Sequence, residues 1–170
     1  MWNFAKYNAT VSDVSASIVS DVSYRKCNNS DVIIILSVGM NDTKSVDTAR
    51  NYLSTLSEYI VNIEKLFNTV MTISNKIMFV GYTPVNEKLT TPKMNPFTGK
   101  KSFFINERIR EFDETCNRIC ASKNISHVKL FDSALALDWD EYLTDDGLHP
   151  SDKGHRWIYE KVWLQLKDWL

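Results

Sequence analysis

Short runs of apolar, β-branched and aromatic residues alternate along the chain with longer segments in which apolar residues recur every three or four positions. This alternation predicts β-strands separated by α-helices. Four strands are predicted, at Asn3 to Val11, Asp31 to Val38, Lys76 to Tyr82 and His127 to Phe131. The second and third are almost continuously apolar, which is typical of strands that helices cover on both faces.

Four helices with apolar stripes are predicted between and after these strands. The first begins near Ser12 or Asp13, the second spans about 46–74, the third begins near Ser102 and the last follows Pro150. Because right-handed crossovers join parallel strands through helices, we expect an α/β fold, a doubly wound parallel sheet with helices on both faces. The length predicts a single domain over residues 1–170. Segment 84–101, which holds three of the four prolines, is predicted as a long loop.

The net charge and hydropathy of the chain exclude some kinds of binding partner. The net charge is −1, with 20 basic and 21 acidic residues, so a nucleic-acid partner is not expected. The longest strictly apolar run, Val32 to Leu36, is far shorter than the roughly 20 residues of a membrane span. The first residues do not resemble a signal peptide, which predicts a cytoplasmic protein. The three cysteines are an odd number without a C-x-x-C spacing, and we expect reduced thiols.

Glycine spacing excludes several intact motifs. The five glycines are separated too widely for a dinucleotide fingerprint, a phosphate-binding P-loop or a G-x-S-x-G elbow. A nucleotide-binding protein is therefore disfavoured. His149 and His155 are accompanied by neither an H-E-x-x-H motif nor a carboxylate cluster, so a metal site is not expected.

The second predicted strand ends in the sequence Gly39-Met40-Asn41-Asp42. In an open parallel sheet the ligand site lies beyond the carboxyl ends of the strands. Glycine permits a tight turn there, and an asparagine amide can donate to an oxygen in the crevice, as an oxyanion hole requires. The alternative interpretation is an ordinary Asx turn.

Near the other end of the chain, Asp146 precedes His149 by three residues, on a turn with Gly147 and Pro150. A carboxylate at this spacing can accept from imidazole Nδ1, fix the tautomer and leave Nε2 as a general base. The alternative is a helix-start turn in which Asp146 is a cap and His149 is exposed. His127 and His155 are interpreted as structural.

Taken together, these two segments resemble the SGNH (GDSL-like) hydrolase family, and the resemblance extends from Tyr7 to the last helix. Gly39, Asn41 and Asp42 match the family's G-x-N-D block, whose asparagine donates to the oxyanion and whose glycine and aspartate are candidate binding residues. Asp146 and His149 match its D-x-x-H block, which supplies two members of the catalytic triad. The resemblance implies a flavodoxin-like sandwich and hydrolysis of a small acyl ester by a serine nucleophile, without a cofactor.

The chain departs from the family at its first two blocks. No Gly-Asp-Ser tripeptide, which carries the family's nucleophile, occurs in the 170 residues. Asp13 stands where the family has an oxyanion-hole glycine, so only its backbone N–H could serve. Ser12 is the best-placed substitute nucleophile, but Asp13 and a helix cap explain this region without chemistry, and that is the preferred interpretation.

We therefore expect a serine esterase whose first strand and helix, with the nucleophile, are absent from this chain. In the family's sheet order 2-1-3-4-5, the absent strand would lie between the strands predicted at Asn3 to Val11 and Asp31 to Val38. The exposed strand edges predict self-association. The alternative is a catalytically inactive binding module that retains the crevice.

Overall fold

The computed structural model describes residues 1–24, 32–94 and 99–170. The helices are α1 (Val11–Ser23), α2 (Leu56–Met71), α3 (Glu87–Thr90), α4 (Asn106–Ser122), α5 (Phe131–Leu135) and α6 (Asp152–Leu166). The strands are β1 (Ile33–Leu36), β2 (Ser45–Val46), β3 (Lys76–Val80), β4 (Lys93–Met94), β5 (Lys101–Phe103) and β6 (Ser126–Val128). Three short 3₁₀ helices occupy Met40–Thr43, Trp139–Tyr142 and Lys167–Trp169.

A parallel sheet in the order β1-β3-β6 forms the centre of the molecule. Ile33 of β1 is in register with Lys76 of β3, and Met78 of β3 with Ser126 of β6. A smaller antiparallel sheet, in the order β2-β5-β4, lies outside this arrangement. The α/β class with a parallel sheet between helices, predicted from the sequence, is thus confirmed.

Alternating side chains of β3 bury themselves in two separate apolar layers, as the two-residue period of a strand requires. Ile77 and Phe79 pack with α1, α2 and α4 on one face of the sheet. Met78 and Val80 pack with β6 and with the apolar side of α6 on the other face. Helices therefore cover both faces of β3, which explains its continuous apolar sequence.

The strand predicted at Asn3 to Val11 is wrong. Helix α1 begins at Val11 because Thr10 and Asp13 form a reciprocal capping box. Asn8 has a φ of 58°, which interrupts an extended conformation. Among the described residues no strand lies beside this segment, and a strand without a pairing partner leaves its backbone groups unsatisfied.

Two predicted helix starts are also too early. Helix α2 begins at Leu56 because Thr55 and Glu58 form a second capping box, while the preceding Ser45–Val46 pairs with β5. Helix α4 begins at Asn106, because Lys101–Phe103 is paired on both sides in the small sheet. The predicted loop 84–101 contains α3 and β4, so it is more ordered than its prolines suggested.

Strand β1 lies at one end of the parallel sheet, and no strand in the described part of the chain pairs with its outer edge. Ile34 and Leu36 are buried beneath it, whereas the Ile35 side chain on the opposite face is 41% exposed. No helix in the described ranges is both long and apolar enough to span a membrane.

Candidate active site

The loop that follows β1 turns sharply at Gly39, which has a φ of 114°. The turn leads into the 3₁₀ helix that contains Asn41. Asn41 Nδ2 donates to the carbonyl oxygen of Ala9, 3.0 Å away, and its side chain is half-buried. A primary amide has two N–H groups. The second N–H of Asn41 has no protein partner among the residues that the structure describes, so it is free to donate to a ligand.

The Asp42 side chain anchors this loop in the protein interior. Its side chain is completely buried and accepts from the Val11 N–H at 3.0 Å and from the Ser54 hydroxyl at 3.2 Å. Burial raises the pKa of this carboxyl group despite these hydrogen bonds. The contacts join the loop to the first turn of α1. The binding role predicted for Asp42 stays a prediction, and its contacts in this structure are with the protein interior.

Asp13 is engaged in the capping box at the start of α1. Its Oδ2 accepts from the Thr10 hydroxyl at 2.6 Å and the Thr10 N–H at 2.9 Å, which lower the pKa of the carboxyl group. The Asp13 N–H, the predicted second oxyanion donor, points to Thr10 Oγ1 at 3.4 Å. That long hydrogen bond is weak. Ser12 is exposed in the same turn, and no described histidine contacts its hydroxyl.

The predicted contact between Asp146 and His149 is confirmed, with Oδ2 2.6 Å from imidazole Nδ1. The other carboxylate oxygen accepts from the backbone N–H groups of Leu148 at 2.8 Å and His149 at 2.9 Å. It also accepts from the Thr144 hydroxyl at 2.9 Å. Since an ionised carboxylate only accepts, Nδ1 carries the proton and Nε2 has a free lone pair when the ring is neutral.

Partial burial alone would raise the pKa of Asp146. The hydrogen bonds from His149 and Leu148, together with Lys93, instead hold that pKa well below its usual range. The carboxylate is therefore ionised throughout the range in which an imidazole titrates. The His149 side chain is 64% exposed, so its Nε2 is open to a substrate or to solvent.

The turn that carries the two residues is fixed by its neighbours. Gly147 has a φ of 69°, and its carbonyl oxygen accepts from the Asn86 N–H at 2.9 Å. A Cβ at position 147 would lie 2.7 Å from Leu89 Cβ, so glycine is required by both backbone and packing. This contact attaches the turn to the segment that follows β3.

Both loops consequently lie at the carboxyl-end edge of the parallel sheet, one beyond β1 and the other against the segment beyond β3. The structure brings Asp146 and His149 together. That Asn41 and His149 face one shared crevice stays a prediction. Elsewhere, His127 is buried and stacks on Phe79, and His155 lies exposed on α6; the structural role assigned to both stays a prediction. No cluster of three metal-binding side chains occurs among the described residues.

Two features of the site have no simple signal in the sequence. Tyr82 donates from its hydroxyl to Val38 O at 3.1 Å and accepts from the Tyr59 hydroxyl at 2.6 Å. This buried tyrosine pair supports the backbone immediately before Gly39. Lys93 contacts Asp146 from a distance of 53 residues along the chain. Neither long-range contact has a motif that would identify it.

We expect Gly39→Ala to destabilise the protein by at least about 3 kcal/mol, because a left-handed Cβ and a lost buried hydrogen bond act together. A Cβ at position 39 would lie 1.9 Å from the Tyr82 hydroxyl oxygen. Gly99→Ala is the matched control, since Gly99 has a φ of 68° but no atom of the described residues within 4 Å of a Cβ. It should lose only about 1–2 kcal/mol. Equal losses in urea unfolding would show that Tyr82 does not constrain the Gly39 turn.

Comparison with known proteins places these features in a wider group. The model of the GDSL-like lipase/acylhydrolase family matches residues 1–162. GDSL esterase/lipase WDL1 from Oryza sativa subsp. japonica is 28% identical over 116 residues, covering 66% of this chain and 44% of the relative. The chain thus spans less than half of that curated relative.

Solved structures share the fold. The lipase/acylhydrolase from Enterococcus faecalis superposes with a TM-score of 0.75 at 17% identity, covering 95% of this chain and 72% of that chain. A GDSL-like lipase from Bacteroides thetaiotaomicron gives a TM-score of 0.70 at 15% identity, covering 96% and 73% of the two chains. At these identities the likeness establishes the α/β architecture.

Proposed function

The chain belongs to the GDSL-like lipase/acylhydrolase family, and from this membership we propose that it provides the general base and the oxyanion donor of a serine esterase. The substrate proposed is a small acyl ester. His149 is the base, Asp146 orients it, and Asn41 stabilises the oxyanion. The attacking serine is proposed to lie on a strand segment outside these 170 residues.

The observation that carries this proposal is the 2.6 Å hydrogen bond between Asp146 Oδ2 and His149 Nδ1. It orients an exposed imidazole with Nε2 outward, which is the state that a general base requires. In the proposed reaction the serine oxygen attacks the ester carbonyl carbon and its proton passes to Nε2. The imidazolium then protonates the leaving alkoxide, and water attacks the acyl-enzyme with His149 again as base.

The free N–H of Asn41 supports its role as the oxyanion donor. Its amide is held by Ala9, and the loop beneath it is held by Asp42, so the donor is positioned before substrate arrives. A preorganised donor stabilises developing negative charge without a cost of reorganisation during the reaction. Asp13 is the weaker candidate, since its N–H already points to Thr10 Oγ1.

Four observations support a nucleophile from a separate segment. No Gly-Asp-Ser occurs in the sequence, and within the described ranges no serine hydroxyl contacts the His149 ring. No strand of the described residues pairs with the outer edge of β1, and a parallel strand added there would end beside the Gly39 turn. The similar chain from Enterococcus faecalis also extends beyond the 72% that this chain covers.

In a longer protein that carries the serine segment, Asn41→Ala should lower kcat by about 10²–10³-fold with little change in KM. The donor acts on charge that exists only in the transition state. Asn68→Ala is the matched control, because Asn68 is exposed on α2 and contacts Lys123 instead. Steady-state hydrolysis of p-nitrophenyl acetate measures both variants. An unchanged kcat in Asn41→Ala would leave Asn41 as a turn residue alone.

The second candidate function is a catalytically inactive module that binds a ligand in the same crevice. The missing Gly-Asp-Ser tripeptide is the observation that favours it. The coding sequence upstream of Met1 separates the two candidates. A strand followed by Gly-Asp-Ser in the same reading frame favours the esterase, and a frame without such a segment favours the inactive module.

A further inference from the structure

Lys93, on β4, reaches the Asp146–His149 pair from a separate part of the fold. Its Nζ lies 3.0 Å from Asp146 Oδ2 and 3.1 Å from the backbone carbonyl oxygen of the same residue. Only about a quarter of the Lys93 side chain is exposed (27%), so the ammonium group is held against the turn rather than extended into solvent. Oδ2 is also the atom that accepts from His149 Nδ1.

The carboxylate of Asp146 is crowded with donors. Three reach Oδ1, from Thr144, Leu148 and His149, and two reach Oδ2, from His149 and Lys93. A carboxylate offers about four lone-pair positions, so its orientation is overdetermined. The contact of Lys93 with the backbone carbonyl oxygen as well as with Oδ2 attaches this ammonium group to the turn at two points.

We propose that Lys93 is a positioning residue that fixes the Asp146 carboxylate and lowers the proton affinity of the His149 ring. This inference rests on the proposed function, in which His149 is the general base. Two positive charges that share one carboxylate oxygen repel each other. Lys93 therefore disfavours the imidazolium form and keeps more of the ring neutral, the form that accepts a proton.

The size of the effect follows from the distances. Nζ at 3.0 Å and Nδ1 at 2.6 Å from one oxygen are at most about 6 Å apart. Because the pair is partly exposed, the effective dielectric constant lies between about 40 and the roughly 80 of water, and a unit charge at this separation then shifts a titration midpoint by roughly half to one pH unit. Because the pair is partly exposed, salt reduces the effect.

Other charged groups also lie near the turn. Asp145, Lys88 and Asp152 form no ion pair among the described residues, whereas four further groups are engaged elsewhere. In the segments packed against the turn, Glu87 accepts from the Asn106 N–H and Asp140 accepts from Asn86 Nδ2. Glu141 forms an ion pair with Lys153. Among the described residues, Lys93 is the only further charged side chain that contacts the Asp146–His149 pair.

The test is an NMR titration of the histidine Cε1–H signals in the 170-residue chain, which needs no enzymatic activity. The protein has three histidines, and loss of one signal in His149→Gln identifies the resonance of interest. In Lys93→Met the midpoint of this signal should rise by roughly half to one pH unit. Lys93→Arg, which retains the charge, should leave the midpoint within about 0.2 pH unit of the original.

Lys123→Met is the matched control for net charge. Lys123 follows the last turn of α4, contacts Asn68, and lies towards the amino ends of the strands, away from the turn. The proposal is overturned if Lys93→Met moves the midpoint no further than Lys123→Met does. Circular dichroism of each variant shows whether it is folded, and Lys93→Gln, which also removes the charge, gives the same readout should Lys93→Met unfold.

The outcomes also separate this inference from the proposed esterase. A raised midpoint in Lys93→Met supports the role of Lys93 whether or not the longer protein hydrolyses an ester. An active esterase in which Lys93→Met leaves the midpoint unchanged would reject the role of Lys93 alone.

Discussion

His149→Gln is expected to lower kcat by about 10⁴-fold in a longer protein that carries the serine segment. Glutamine is of similar size and retains hydrogen bonding, but it has no nitrogen that accepts a proton near neutral pH. The serine would then keep its own proton and remain a weak nucleophile. Single-turnover measurements with p-nitrophenyl acetate report this loss directly, because acylation releases the coloured leaving group.

His155→Gln provides the matched control for this prediction. His155 is exposed on α6, six residues from His149, and within the described part of the chain its side chain forms no hydrogen bond or ion pair with the Asp146 turn. We expect its kcat to remain within about twofold of the unmodified protein, as for other surface substitutions. A His149→Gln protein that retains full activity would require another general base and would remove the observation on which the proposed function depends.

The strands with continuous apolar sequence were predictable because burial on both faces selects such residues regardless of their partners. The predictions at 31–38 and 76–82 therefore contain β1 and β3, although Asp31 lies outside the described residues. The strand predicted at Asn3 to Val11 failed because sheet formation depends on a neighbouring strand, which this segment does not have in the described structure. Instead, the Thr10–Asp13 capping box determines that helix α1 begins at Val11, the last residue of the predicted strand.

A similar distinction applies to the site. The Asp146–His149 contact was predictable because the two residues are three positions apart on one turn, which keeps their side chains close, and Gly147 marks that turn. Lys93 was not predictable, since its approach depends on how β4 pairs with β5 in the small sheet. The support of Gly39 by Tyr82 likewise arises from packing between two strand ends. Contacts between residues close in sequence can thus be predicted from their spacing, whereas contacts such as those of Lys93 and Tyr82 become visible only in the complete fold.

The largest effect is expected from the segment that would carry the nucleophile. A longer protein with a Gly-Asp-Ser strand before Met1 should hydrolyse p-nitrophenyl acetate about 10⁶-fold faster than the 170-residue chain, on the scale associated with a triad serine. The same segment should increase solubility. No strand in the described ranges pairs with the outer edge of β1, and the Ile35 side chain on this strand is 41% exposed, so the 170-residue chain is expected to self-associate. Light scattering and size-exclusion chromatography compare the association states of the two proteins.

Replacing the serine of the added Gly-Asp-Ser with alanine separates folding from chemistry. This variant should be as soluble and monomeric as the longer protein, because the added strand still pairs with β1, yet its hydrolysis should fall to the background of the 170-residue chain. Activity that survives the replacement would place the nucleophile elsewhere. If the 170-residue chain by itself is monomeric, unfolds cooperatively and is fully active, the proposal of a separate nucleophile segment is wrong. Ser12 then becomes the first residue to replace, because its exposed hydroxyl lies in the first turn of α1, next to the Val11 N–H that Asp42 holds against the Asn41 loop.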